Sequence, residues 1–216
     1  MTSGGDRGTH WATWHQDYAD PTSPLSERLV VVVSRIRQAV DALDPGPVSV
    51  ISACAGQGHD VVLALQDHPR APDVFGVLVE WDEHNVNQAT AALRASGLHG
   101  IKAIRADASD TDAYRDMPRA DLLLLCGIFG NVSDDDVANT IAHAASLCRP
   151  GAFIIWTRHR RAPDLTPRIR GWFSEAGLEE VSFESPGEDS FSVGMHRLLG
   201  APAPRVPRLK LFTFLR

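Results

Sequence analysis

Apolar positions along the chain follow two rhythms. From Leu25 to Leu43, the residues Leu29, Val32, Val33, Ile36, Val40 and Leu43 recur at the spacing of one helix face, with Ser23 or Ser26 as cap and Asp44-Pro45-Gly46-Pro47 as stop. Beyond that stop, short apolar runs alternate with helical patterns. Val48–Ser52, Val74–Glu80, Ile101–Ala106, Leu122–Cys126, Ala152–Thr157 and Leu178–Glu184 read as strands, and Leu209–Leu215 as a last one. Residues 60–66, 85–96, 134–147 and 165–176 read as helices, with Gly97 and Gly177 ending the second and the fourth. Such alternation predicts an α/β fold: a mostly parallel sheet with helices on both faces, because parallel strands need crossover connections and are buried on both sides. No repeat or second core is visible, so residues 25–216 are expected to form one domain. Residues 1–24 are expected to be a flexible segment covering it.

Composition narrows the classes. Three cysteines, Cys54, Cys126 and Cys148, lack paired spacing, and with the nine histidines they show no metal-ligand spacing, so neither disulfides nor a metal is expected. No charged-then-apolar leader opens the sequence, and its longest apolar runs fall far short of the roughly 20 residues of a membrane helix. A soluble, cytoplasmic protein is the expectation. Lys102 and Lys210 are the lysines among 21 basic residues, and Ala, Arg, Asp and Val are abundant, a usage that points to a GC-rich bacterial source. The net charge of −6 argues against a broad nucleic-acid surface.

In a doubly wound sheet, ligands sit beyond the carboxyl ends of the strands where strand order reverses, so the residues after each strand matter most. The first strand runs into Ser52-Ala53-Cys54-Ala55-Gly56-Gln57-Gly58, whose glycines let the backbone approach a ligand while the following helix offers free N–H groups. A dinucleotide fingerprint would place a third glycine where Val61 stands, which weakens a nicotinamide reading. Glu80 comes roughly 20 residues after the turn, where a carboxylate accepts both hydroxyls of a ribose. Trp81 offers an indole to cover an adenine face. Asp107 and Ala108 are placed to meet an adenine amino group, and Cys126-Gly127-Ile128-Phe129-Gly130-Asn131 forms a mouth of small residues.

The glycine turn, Glu80, Asp107 and the stretches ADLLLLCGIFGNVSDDD, LCRPGAFIIW and WFSEAGLEEVSF stand in an order and spacing that resembles class I S-adenosylmethionine-dependent methyltransferases. The resemblance covers about residues 45–185 and the last strand. It implies a three-layer Rossmann-like sandwich, a seven-stranded sheet whose last strand runs antiparallel, and S-adenosylmethionine as cofactor. By position it implies Ser52, Cys54, Ala55, Gly56 and Gly58 beside the methionine part, Glu80 at the ribose, Trp81 on the adenine face, Asp107 and Ala108 at the adenine edge, and Cys126 at the mouth. Tyr18 is a further contact for the methionine end, as N-terminal aromatics are in similar enzymes. Two positions depart from the family, which usually has an acid where Ser52 stands and glycine where Cys54 stands. Asp60 or Asp17 would then supply the charge. No Asn-Pro-Pro-Tyr follows the fourth strand, which tells against planar amide or adenine nitrogens as acceptors.

The implied topology lays residues 185–208, with Phe191, Met195, His196, Arg197 and a stiff Pro-rich run, over the mouth as a lid. Trp11, Trp14, His15 and Tyr18 are a second cover. After the fifth strand stands a basic cluster, Arg158-His159-Arg160-Arg161. Since Arg binds carboxylate or phosphate bidentately, Arg158 and Arg160, with Phe129 and Arg197, are candidates for holding a small, anionic acceptor. A general base is required only for a nucleophile that arrives protonated, and His159, His196 and His15 are the candidates. Beside a methyltransferase stand three rivals: a non-catalytic module binding S-adenosylmethionine or S-adenosylhomocysteine, encouraged by Ser52 and Cys54, a nicotinamide-dependent oxidoreductase, and an RNA methyltransferase.

Overall fold

A computed structural model describes residues 23–187 and 190–215. Ser23 caps the first helix, α1 (Pro24–Ala42): its Oγ accepts from the Ser26 backbone N–H at 3.1 Å, and Pro24 occupies the first turn, where its missing N–H costs nothing. The strands are β1 (Val48–Ala53), β2 (Val74–Glu80), β3 (Ile101–Arg105), β4 (Ala120–Leu125), β5 (Cys148–His159), β6 (Leu178–Glu184) and β7 (Phe191–Leu198). Between them lie α2 (His59–Leu65), α3 (Glu83–Ala95), α4 (Asp134–Ala144) and α5 (Thr166–Glu175). Asp82 and Ser133 cap α3 and α4, each accepting from the backbone N–H three residues on.

One sheet of order β3-β2-β1-β4-β5-β7-β6 results. Strands β1 to β5 pair in parallel, and β7 runs antiparallel between β5 and β6. The two-residue period of the strands sorts their side chains into two cores. Val48, Val50, Leu122, Leu124, Phe153 and Ile155 pack with Val32 and Ile36 of α1, Val61 and Leu65 of α2, and Leu93 of α3. Ile51, Ala53, Leu123, Leu125, Ile154 and Trp156 face the opposite way, toward Val137 and Ile141 of α4 and Ile169 and Phe173 of α5. This is the expected three-layer α/β architecture.

Two expectations about the C-terminal region fail. The seventh strand is not Leu209–Leu215 but Phe191–Leu198, so the segment expected to form a lid supplies a central strand instead. Polar residues hide this strand in the sequence: Ser192 and His196 interrupt the apolar pattern, yet both are buried. Gly194 interrupts it for a packing reason. Its register partner Trp156 lays its indole where a side chain would be, and a Cβ at Gly194 would sit 2.3–2.5 Å from indole atoms. Residues 209–215 are extended but join the rest of the chain through single bridges, Asp110 with Lys210 and Val132 with Phe214. After β7, residues 199–215 run as a strap past the amino end of β4, where Arg119 donates to Ala203 O, and on to its carboxyl end, where the Leu215 N–H donates to Asn131 O at 3.0 Å.

No helix among the described residues is long and apolar enough to cross a membrane.

Candidate functional site

Strand order reverses between β1 and β4, and a cavity of about 770 Å³ opens there at the carboxyl ends of the strands. Its floor is the turn after β1. Cys54, Gly56 and Gly58 all have left-handed backbones, with φ of 53°, 54° and 72°. Gly58 is the N-cap of α2, and a Cβ there would lie 2.7 Å from Leu78 Cδ1, so this position demands glycine on both backbone and packing grounds. Cys54 adopts, without being glycine, the conformation for which the resembling family uses glycine.

The end of β2 fixes the turn. Glu80 Oε2 accepts from the Gly56 backbone N–H at 2.8 Å, while Oε1 accepts from the N–H groups of Trp81 and Asp82, each at 2.9 Å. Three donors hold the carboxylate, and its oxygens keep capacity for a further donor from the cavity, which Glu80 lines. Trp81 also lines the cavity, is two-thirds exposed and carries the Arg105 guanidinium 5.8 Å from its ring centroid.

Across from it, Asp107 Oδ1 accepts from the Ser109 backbone N–H and hydroxyl at 3.0 and 2.6 Å, and Oδ2 accepts from Lys210 Nζ at 2.8 Å. Burial pushes this carboxyl up, and the hydrogen bonds from Lys210 and Ser109 outweigh it, leaving it below the usual carboxylate range. Tyr114 shapes the loop from beneath, its hydroxyl donating to Ala108 O at 2.7 Å.

At the β1/β4 end stand Ser52, Asp60, Cys126 and, from α1, Arg28. Burial raises the Asp60 carboxyl above the usual range, against a hydrogen bond from the Val61 N–H and the opposite charge of Arg28. Burial likewise raises the thiols of Cys54 and Cys126, with nearby carboxylates adding to the effect, so both stay protonated and un-nucleophilic at neutral pH.

Of the expected cofactor residues, Ser52, Cys54, Ala55, Gly56, Glu80, Trp81, Asp107, Ala108 and Cys126 line this cavity, and Gly58 supports it from behind. Asp60, one of the two acids weighed for the missing charge, lines it too. Tyr18, His15, Trp11, Trp14 and Asp17 lie outside the described residues. The expected acceptor and base residues are placed elsewhere. Phe129 is fully buried beside Trp156 and Phe173, in the core rather than the cavity. Arg158 donates to Phe129 O, and Arg160 Nε pairs with Asp164 at 2.9 Å. Arg197 lies over the Phe153 ring and donates to Gly151 O, toward the amino end of β5 and so at the wrong edge of the sheet. His196 is buried, stacked 4.3 Å from the Phe173 ring, with Nδ1 accepting from Trp156 Nε1 at 3.2 Å, and burial lowers its pKa to about 4. His159 ends β5 with its ring against Gly130, outside the cavity lining.

The sequence pattern did not point to the strap. Lys210, Phe212, Thr213, Phe214 and Leu215 complete the cavity wall, and the mostly apolar run they belong to, the one available signal, reads equally as a strand. Among the described residues, no three His, Cys, Asp or Glu side chains gather as a metal site.

Comparisons with known proteins bear on this geometry. Residues 25–174 match the profile of a family described as "Putative methyltransferase". No protein of curated function matches the sequence. Among solved structures, the fold is similar to a magnesium protoporphyrin IX methyltransferase from Synechocystis PCC 6803 with bound SAM, at 14% identity and a TM-score of 0.68, covering 91% of this chain and 99% of that one. It is similar also to an O-methyltransferase family protein from Burkholderia thailandensis, at 18% identity and a TM-score of 0.59, covering 84% of this chain but 61% of that longer one. A cyclase shares the fold as well, at 15% identity and a TM-score of 0.56, covering 76% of this chain and 80% of that one. Likeness at such identities shows the fold, and the cyclase shows that this fold serves other reactions. The family match is of another kind: it spans well over half of the chain, and the protein belongs to this methyltransferase family.

Proposed function

We propose that the protein transfers a methyl group from S-adenosylmethionine to a small molecule, with the cavity at the β1/β4 reversal as its cofactor site. The observation that carries this reading is the Glu80 carboxylate, held by three backbone N–H groups at the end of β2 and still open to the cavity.

The residues present fit the cofactor. Cys54, Ala55, Gly56 and Gln57 of the turn line the cavity, and Glu80 at the end of β2 and Asp107 just after β3 are spaced beside it for a nucleoside. Glu80 would accept from the ribose hydroxyls, while Ala108, Ser109 and Asp107 border the adenine edge. Asp60 and Ser52 would receive the ammonium of the methionine part, and Arg28 its carboxylate. Asp60 thus stands in for the acid that Ser52 replaces.

When bound, the cofactor supplies a methyl group already activated by its sulfonium. The protein's work is then alignment and exclusion of water. The cavity walls do this through fixed backbone donors and the buried apolar side chains of Val32 and Phe212. Neither His159 nor His196 lines the cavity, so this reading assigns neither as base. A non-catalytic binding module is a second reading, favoured by that placement and by Cys54 in the turn.

Calorimetric titration with S-adenosylmethionine, S-adenosylhomocysteine and NAD in parallel tests the proposal. Binding of the first two alone is expected. Binding of NAD alone, or of none of the three, would overturn it.

A further inference from the structure

The acceptor side of the cavity is built by the strap, and its chemistry differs from that of the nucleoside side. The strap crosses from one to the other. Lys210 is fastened to Asp107 after β3, whereas Phe214 bridges Val132 and Leu215 bonds Asn131 in the loop that follows the Cys126-Gly127 mouth of β4. Hydrogen bonds hold it along its length: Leu211 N–H to Ser109 O, Asn139 Nδ2 to Leu211 O, and Thr213 N–H to Asp136 Oδ2. The wall is pre-formed.

What it presents is apolar. Phe212 is buried at its base with the Phe214 ring edge-on at 5.3 Å, while Phe214 and Leu215 remain 37% and 67% exposed at the mouth. Leu29 of α1 adds to the apolar lining.

Charge points the same way. Among the described lining residues, the cations Arg28 and Lys210 stand with four acids, Asp60, Glu80, Asp82 and Asp107. Lys210 is engaged by Asp107, and Arg28 acts on Asp60. Arg158, Arg160 and Arg197, the cations that would suit an anion, bind protein groups outside the cavity. Among the described lining residues, a carboxylate or phosphate entering here would meet these acids while Lys210 is held by Asp107 and Arg28 is taken by the cofactor's own carboxylate, and burying an unpaired charge is costly.

We propose that Phe214 and Leu215 form the acceptor-facing wall and select an uncharged, apolar small molecule. The proposal rests on the methyl-transfer reading of the cavity.

The test uses 2-naphthol and 2-naphthoate, which share a ring system and differ in charge, titrated into the full-length protein saturated with S-adenosylhomocysteine. Wild-type protein is expected to bind 2-naphthol about tenfold more tightly than 2-naphthoate. Phe214→Ala and Leu215→Asp are each expected to weaken 2-naphthol binding about tenfold while S-adenosylhomocysteine affinity stays within about twofold. Leu215 is largely exposed, so its substitution leaves the fold intact even if Phe214→Ala disturbs it. Equal or tighter binding of 2-naphthoate, binding of neither compound, or wild-type 2-naphthol affinity in Leu215→Asp would overturn the proposal. Failure of the wild-type protein to bind S-adenosylhomocysteine would instead remove the cofactor reading beneath it, and the proposal with it.

Discussion

The Glu80 carboxylate and the Gly56 backbone N–H meet at 2.8 Å across the crevice between β1 and β2. One side chain therefore does two things: it holds the glycine turn in its left-handed course, and it offers an acceptor to whatever enters the cavity.

Replacing Glu80 with Ala should accordingly weaken S-adenosylhomocysteine binding by about 1–3 kcal/mol, the cost of leaving a buried donor unpaired. Calorimetry reads this directly. Unchanged affinity would place the ribose elsewhere.

Gly194 and Trp156 make a different kind of demand. A methyl group at Gly194 would overlap the indole, so Gly194→Ala should lower stability by about 1–3 kcal/mol through overpacking. Urea denaturation should show a lower midpoint with unchanged slope.

His196 gives stability a pH dependence. Its pKa is lowered from 6.5 to about 4 by burial, so below pH 6.5 the unfolded chain binds the proton that the folded chain refuses. Stability present above that pH should be lost as pH falls toward 4, by up to about 3 kcal/mol. Unfolding measured across this range should show the slope, and His196→Phe should flatten it.

Arg158 and Arg160 bind Phe129 O and Asp164, away from the cavity. Substituting Arg160 with Ala should leave S-adenosylhomocysteine affinity within about twofold and cost roughly 0.5 kcal/mol, as expected of a partly exposed pair. A large loss of affinity with the fold intact would return the basic cluster to the site.

The strands that carry the cavity were legible because they are buried on both faces: runs such as Val48–Ser52 and Leu122–Cys126 need no partner to be recognised. Glycines and acids at their ends were legible because they answer to the local geometry of a turn. What was not legible depends on packing between distant segments. Gly194 and His196 break the pattern of β7 because Trp156 needs the space of one and the ring nitrogen of the other. Residues 209–215 are apolar enough to read as a strand, but β5 already has β4 on one side and β7 on the other, which leaves them to lie across the edge. Arg158 and Arg197 sit on β5 and β7, and only the register of those strands tells which end each one faces.

The strap also makes the cavity depend on residues far apart in the chain. Arg28 and Leu215 line one cavity although nearly the whole chain separates them, and closing so long a loop is slow and entropically costly. The sheet can form before the strap docks, whereas the complete cavity cannot. A ligand that needs both walls binds the finished molecule alone, and by mass action it draws the population toward that last step. Ligand binding would thus report completion of folding as well as chemical recognition.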